Sequence, residues 1–285
     1  MNFYQKYKSH KVKTLLSLLL KVECLHILLF LIIRNKRNRF YKGLSLMRTS
    51  YRRWREYPYA GENTPPKGSS EAGYWPMFFF SKGRENNFLD PFHQPINWRI
   101  KNPNDINWET ELLTVEQTLK SLTPQQRHIA QYWGTGELGA KITAMIFSLG
   151  ENYRLGSPDI ARTLGYFHSA INDTFVITWF LKYLWDVARP NQYGRNLSTV
   201  LLTPRFPSYP SAHATIAGCS EVLLSYFFPS ESSRIRNSMK ESAQSRLYAG
   251  VHFKVDNDEG LRLGRQIGET VVKLMKAQNS NIITE

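Results

Sequence analysis

The stretch Ser157–Pro190, SPDIARTLGYFHSAINDTFVITWFLKYLWDVARP, decides the fold. Ser157-Pro158-Asp159 reads as a helix start. Proline loses nothing at a first helical position, where its missing N–H would have no partner, and an acid in the first turn faces the positive end of the dipole. No breaker intervenes until Pro190, whose ring cannot continue a helix. The spacing therefore predicts one long, mostly buried helix through HSAINDTFVITWFLKYLWDVA, with Arg189 at its terminus and free to swing into a site. Trp179, Lys182, Asp186 and Arg189 step by three, four and three residues, which at about 3.6 residues per turn keeps them within a stripe of roughly 80°. The plainest account is a Lys182–Asp186 pair on a solvated face. The surrounding FVITWFLKYLW is too apolar for that, and a buried lysine and arginine need a permanent anion, from the protein or from a ligand.

Helix signals continue on both sides. Thr123-Pro124-Gln125-Gln126 has the form of a capping box, and the pattern is helical from Asn107 onward. Ser211 opens a helix to about Phe228, Pro229-Ser230 starts one ending near Gly250, and the last runs from about Val255 to Lys276. No alternating strand pattern of useful length appears, so the expectation is an all-α bundle of roughly six main helices. Three regions are expected: residues 1–46 as a leader, 47–108 as an irregular arm rich in Gly, Pro and aromatics, and 109–278 as the helical domain.

The net charge of +14 invites a nucleic-acid partner, but its distribution excludes one. Residues 1–57 hold 14 Lys/Arg against Glu23 and Glu56, a net +12, leaving only +2 on the remaining 228 residues. Leu15–Ile33, LLSLLLKVECLHILLFLII, has the length of a membrane span but contains Lys21, Glu23 and His26. It reads as an anchor, as an amphipathic surface segment, or as part of an upstream extension if the natural start is Met47; membrane contact is expected only through residues 15–33. The body reads as a soluble domain in each case. Neither compartment nor oligomeric state is encoded, a homo-oligomer being allowed. Cys24 and Cys219 form no disulfide framework, and Cys219 is expected as a small buried hydrophobe. Gly134-Thr135-Gly136-Glu137-Leu138-Gly139 matches a dinucleotide fingerprint by letter, yet it follows a helical segment rather than a strand and is better read as a corner between helices. Asp256, Asp258 and Gly260 lack the spacing of a calcium loop, and no zinc motif occurs.

Two further segments share the chemistry of the first. In Pro210-Ser211-Ala212-His213, Ser211 sits at a helix N-cap. Free N–H groups and the positive dipole end there suit a phosphate-like anion, although a serine that simply caps explains the segment equally well. In Ser245-Arg246-x5-His252-x3-Asp256, one helical turn would let Asp256 accept from one nitrogen of His252 and leave the other unprotonated. A purely structural His–Asp pair is the alternative. Jointly, Lys182, Arg189 and Arg246 supply enough positive charge for a tetrahedral trianion, with His252 at one apex and His213 opposite as general acid–base.

In order and spacing, Lys182-x6-Arg189-Pro190, Pro210-Ser211-Ala212-His213 and Ser245-Arg246-x5-His252-x3-Asp256 resemble a known three-part signature. It belongs to the superfamily of vanadium-dependent haloperoxidases and type 2 phosphatidic acid phosphatases, which includes bacterial class A acid phosphatases. The resemblance spans roughly residues 160–275. It implies that Lys182, Arg189, Ser211, Ala212 and Arg246 bind the oxyanion, that His252 binds vanadium or is phosphorylated, that Asp256 orients His252, and that His213 is the acid–base histidine. Ala212 stands where the pattern has glycine; it keeps the backbone N–H, so only a positive φ or a tight clearance would matter. Trp179 and Phe206 match aromatics flanking vanadate in the fungal chloroperoxidase type, whereas the bromoperoxidase type has histidine at the Phe206 position. The implied function is oxidation of a halide by hydrogen peroxide with vanadate as cofactor. One rival is a phosphomonoesterase working through a phosphohistidine, which needs no cofactor; another is a non-catalytic oxyanion-binding or coat protein.

Overall fold

Helix starts are set by side chains that satisfy free backbone N–H groups, and most of the expected ones form. The computed structural model describes residues 50–84, 87–194 and 197–278, all within the compact unit Ser50–Glu285. The readings made for residues 1–46 fall outside the described residues, as does Cys24. Among the described residues there are seven α-helices: α1 (Trp108–Lys120), α2 (Pro124–Gly134), α3 (Leu138–Asn152), α4 (Ser157–Trp185), α5 (Ala212–Phe227), α6 (Ser232–Tyr248) and α7 (Lys254–Ala277). The architecture is all-α. The glycine-rich stretch is the corner between helices that the sequence indicated: it joins α2 to α3, and Gly136 takes φ +67°. Asn107 caps α1 through its side chain, and α2 begins with the Thr123–Gln126 capping box. Gly156 rather than Ser157 is the cap of α4. Among the described residues, no helix is long and apolar enough to cross a membrane.

The centre of the bundle is α5 against α7. Their backbones approach at glycines: a Cβ on Gly260 would lie 2.7 Å from the Ser211 carbonyl oxygen, and one on Gly264 would overlap the Thr215 carbonyl. Such a contact excludes larger residues and draws the N-termini of both helices together. The main core gathers Phe167, Ile177, Leu223, Phe227, Leu263 and Ile267 among others, and Cys219 is buried within it. A second cluster of Trp108, Tyr209, Phe253 and Val187 lies beneath the site end of the bundle.

Three two-residue strands, β1 (Ser81–Lys82), β2 (Phe88–Leu89) and β3 (Pro95–Ile96), form a small antiparallel sheet in the order β1-β2-β3. The segment before them reshapes α4. The helix ends at Trp185, and Asp186 turns into the left-handed region at φ 57°, ψ 39°. Aspartate tolerates that conformation better than most residues. Residues 52–54 then pair with 186–188: the Trp54 N–H donates to the Asp186 carbonyl (2.7 Å) and the Ala188 N–H to the Arg52 carbonyl (3.0 Å). Pairing with the arm thus replaces the last helical turn expected before Pro190. Arg189 is not on the helix, and the stripe of four residues holds only from Trp179 to Lys182.

Candidate oxyanion site

Each site residue owes its position to a local break in the helices. Lys182 lies in the last turn of α4 and is fully buried. Its Nζ does not pair with Asp186; it donates to the carbonyls of Pro207 (2.8 Å) and Ser208 (2.7 Å) in the loop before α5. Asp186 instead receives Arg55 Nε at 2.6 Å. The Lys182–Asp186 pair on a solvated face, which the apolar surroundings argued against, does not form: the left-handed turn directs the carboxylate to the arm. Arg189, also fully buried, precedes a 3-10 turn at Pro190–Gln192 and is held by Gln192, whose side chain accepts from its backbone N–H. Its Nε donates to the Phe206 carbonyl (3.0 Å), and its Nη1 reaches the Val251 carbonyl (2.8 Å) and His252 Nε2 (2.9 Å).

Ser211 caps α5, accepting from the Ala214 N–H at 3.4 Å, and its own N–H donates to the Asp256 carbonyl at 2.9 Å. Ala212 is the first residue of α5 and has no positive φ, so alanine in place of the pattern's glycine strains nothing there. His213 follows, partly exposed, with Nε2 buried and lacking a hydrogen-bond partner. Arg246 projects from the last turn of α6, and its Nη1 lies 2.8 Å from where a Cβ on Gly134 would stand. Gly250, at φ +74°, then turns the chain toward His252.

His252 and Asp256 meet, but not across one helical turn as expected. His252 lies just before α7, Phe253 is the cap, and Asp256 is in the first turn. Asp256 Oδ2 accepts from His252 Nδ1 (2.8 Å), the Phe253 N–H (3.0 Å) and Ser208 Oγ (2.5 Å). These contacts place the His252 proton on Nδ1 and leave the Nε2 lone pair directed at Arg189. Ser208 escaped the sequence reading, since a serine between two prolines in a loop carries no periodic signal. The Trp179 and Phe206 rings meet at 4.6 Å between centroids, tilted by 49°, and the Phe206 ring lies 4.9 Å from the Arg189 guanidinium and 5.3 Å from Lys182 Nζ.

The electrostatics are those of a site short of negative charge. Burial, then Arg189 and Arg246, push the Lys182 pKa well below its ordinary value, against the opposing pull of Asp256. Burial lowers Arg189 to about 10, and burial plus Arg189 lowers Arg246 to about 10. Burial and then Arg189, Lys182, Arg246 and His213 hold His252 well below the usual histidine range, so its ring is neutral. His213 is lowered by burial, then by Arg246 and Lys141. Burial raises Asp256 to about 6 in spite of Ser208 and the cations. Arg189 Nη2, Arg246 Nε and Nη1 and His213 Nε2 are buried without partners. Donors left unsatisfied around a convergence of cations call for a ligand made of acceptors. The sequence-predicted residues thus converge on one place, with Trp179, Phe206 and His213 the members partly open to solvent.

Comparison with known proteins places this geometry. The model of the VCPO second helical-bundle domain matches residues 231–281. A bacterial vanadium-dependent iodoperoxidase shares 19% identity and a TM-score of 0.55, over 82% of this chain and 64% of that one. A holo-type bacterial vanadium-dependent chloroperoxidase shares 14% identity and a TM-score of 0.57, over 74% of this chain and 55% of that one. A transmembrane PAP2-type phosphatidylglycerolphosphate phosphatase from Bacillus subtilis aligns at 18% identity, with 60% of this chain, 86% of that one and a TM-score of 0.46. The chain therefore spans less than two thirds of the two peroxidases, and at these identities the likeness is one of fold. No curated protein sequence matches the chain. The matched segment resembles the VCPO second helical-bundle domain, and the chain shares the helical fold of the vanadium-dependent peroxidases.

Proposed function

We propose that the chain is a vanadium-haloperoxidase-type enzyme that uses hydrogen peroxide to oxidise a halide at a histidine-held vanadate. The observation that carries this reading is the surplus of buried positive charge: Lys182, Arg189 and Arg246 act on one another, Asp256 is the carboxylate that offsets them, and buried guanidinium donors lack acceptors. The oxygens of a vanadate anion carry negative charge and accept hydrogen bonds, so the donor set fits it. His252 Nε2 would hold the vanadium, with Lys182, Arg189, Ser211, the Ala212 N–H and Arg246 around its oxygens. When bound, vanadate would activate peroxide toward the halide, the peroxide supplying the oxidising power.

The chain's own residues do the rest. Asp256 and Ser208 fix the imidazole of His252 so that Nε2 stays a lone-pair donor. Arg189 Nη1, which donates to that nitrogen at 2.9 Å, turns its donors to the oxyanion instead, Nη2 already being unpartnered. His213, kept neutral, can take a proton from the incoming peroxide at Nε2 and return it to a departing oxygen. The Trp179–Phe206 pair supports the peroxidase branch over a phosphomonoesterase, because it sets an apolar wall beside Arg189 and Lys182 where the chloroperoxidase-type resemblance puts flanking aromatics.

The test is purified protein loaded with orthovanadate and assayed with peroxide, a halide and a phenolic dye, beside an aryl phosphate assay on the same preparation. Halogenation that depends on vanadate is the expected result. Rapid aryl phosphate turnover without halogenation would overturn the proposal in favour of the phosphohistidine route.

A further inference from the structure

Residues 52–61 of the arm, RRWREYPYAG, mix arginines with aromatic rings, and a 3-10 turn at Trp54–Glu56 bends them back on themselves. The Arg52 guanidinium then lies 5.0 Å from the centres of both the Tyr57 and the Tyr193 rings, and its Nη1 donates to the Gln192 carbonyl at 2.9 Å. Among the described residues no carboxylate forms an ion pair with it. Arg52 lines a cavity of about 590 Å³, together with Tyr57, Tyr59, Asn191 and Gln192, a size usual for small-molecule sites. The walls are held in place. Tyr59 is buried, and its hydroxyl accepts from Trp54 Nε1 (2.8 Å) and donates to the Pro204 carbonyl (2.6 Å). Gln192 accepts from the Arg189 N–H (2.7 Å) and donates to the carbonyls of Trp54 (2.8 Å) and Tyr57 (2.6 Å). Asn191 donates from Nδ2 to Thr203 Oγ1 (3.0 Å), while its Oδ1 is buried without a partner.

We propose that this cavity is a binding site for a small hydroxylated aromatic carboxylate: the carboxylate pairs with Arg52, the ring lies against Tyr57 and Tyr59, and the hydroxyl donates to Asn191 Oδ1. A guanidinium set between two rings keeps its charge and its planar fork of donors, which match a carboxylate bidentately. Aromatic walls favour a ring over an aliphatic chain. An inorganic anion makes no use of those walls, and a neutral arene makes none of Arg52. The cavity is lined by none of the residues assigned to the oxyanion, and its ligand does not depend on the function proposed for them. Gln192 nevertheless touches both, since it lines the cavity and holds the Arg189 backbone. A ligand in the cavity therefore sits one hydrogen-bonded residue from Arg189.

The experiment titrates the full chain with 4-hydroxybenzoate by saturation-transfer NMR, beside 4-hydroxybenzyl alcohol, which lacks the carboxylate. Three variants accompany wild type. Arg52→Gln keeps a donor for the Gln192 carbonyl without the charge, Tyr57→Leu removes one ring at an exposed position, and Arg246→Met disables the oxyanion centre without touching the cavity. The expected result is saturable binding of 4-hydroxybenzoate, weakened about tenfold or more by Arg52→Gln and by loss of the carboxylate. Tyr57→Leu should also weaken it, and Arg246→Met should leave it unchanged. Wild type that shows no saturable binding at millimolar probe would overturn the inference, as would binding that survives both Arg52→Gln and Tyr57→Leu. Equal binding of the alcohol would remove the role of Arg52. Binding lost in Arg246→Met would place the carboxylate in the oxyanion centre and equally refute the cavity as its site.

Discussion

Arg246→Met should make the ligand-free protein more stable while crippling its affinity for oxyanions. The Arg246 guanidinium is buried, with Nε and Nη1 lacking acceptors, and burial and Arg189 together push its pKa down to about 10. Each orphaned buried donor costs about 1–3 kcal/mol, and removing a poorly compensated buried charge in favour of an apolar side chain of similar length is often stabilising. Methionine keeps an apolar stem of similar length and discards both penalties, so a gain of about 2–4 kcal/mol is expected in the absence of ligand. For a chain of this size that raises Tm by about 5–10 °C. Orthovanadate or phosphate at 100 times the wild-type Kd should stabilise wild type by about 2.7 kcal/mol. Losing a charge-assisted contact worth about 1.5–3 kcal/mol should cut that increment in the variant to about 1 kcal/mol or less. Calorimetry with and without each anion reads both effects. A ligand-free variant less stable than wild type, or one that keeps the full anion shift, would refute the reasoning.

Other substitutions probe the rest of the site. His252→Ala should remove turnover with the helical circular dichroism unchanged, because Asp256 keeps Ser208 and the Phe253 N–H; retained turnover would reject the assignment. His213→Ala should lower turnover while vanadate affinity, measured by titration, stays within a few-fold. Asp186 is raised to about 6 by burial, which outweighs its pairing with Arg55. Its folded pKa exceeds the unfolded value, so its contribution is fully present below about pH 4 and is lost as pH rises through about 6. Asp186→Asn should therefore gain on wild type by on the order of 3 kcal/mol between pH 4 and 7 in urea unfolding, and a constant difference would contradict this.

The helices were legible because their caps are local chemistry: Thr123 with Gln126, Asn107, and Ser211 act within three residues of themselves. The site residues were legible because residue types and order survive in the sequence even where geometry does not. The end of α4 was not legible. It is decided by Arg52–Trp54, more than 130 residues upstream, which pair with 186–188 and capture Asp186. Tertiary pairing overrode a helical pattern, and with it went the expected place of Arg189 on the helix. Ser208 was invisible for a related reason: its role depends on Asp256 arriving from α7. Ala212 needs no positive φ because α5 is already helical there, which only the backbone reveals.

The cations at this site do two things with one arrangement of charge. They are what an oxyanion would bind, and they also keep His252 and His213 neutral, since each positive neighbour opposes protonation of either ring. A histidine beside a carboxylate would ordinarily gain a proton; here Asp256, itself raised to about 6 by burial, orients His252 through Nδ1 while the cations oppose its protonation. Neutral Nε2 is the form able to hold vanadium or attack phosphorus. That lone pair is met by Arg189 Nη1, a group that an oxyanion would itself recruit. On the proposed function, anion binding and exposure of the His252 lone pair would be linked, because the anion that draws Arg189 away would be the one that His252 receives. The cost is a core with unsatisfied donors, which is why the residues that define the site should also be those whose removal stabilises the ligand-free fold.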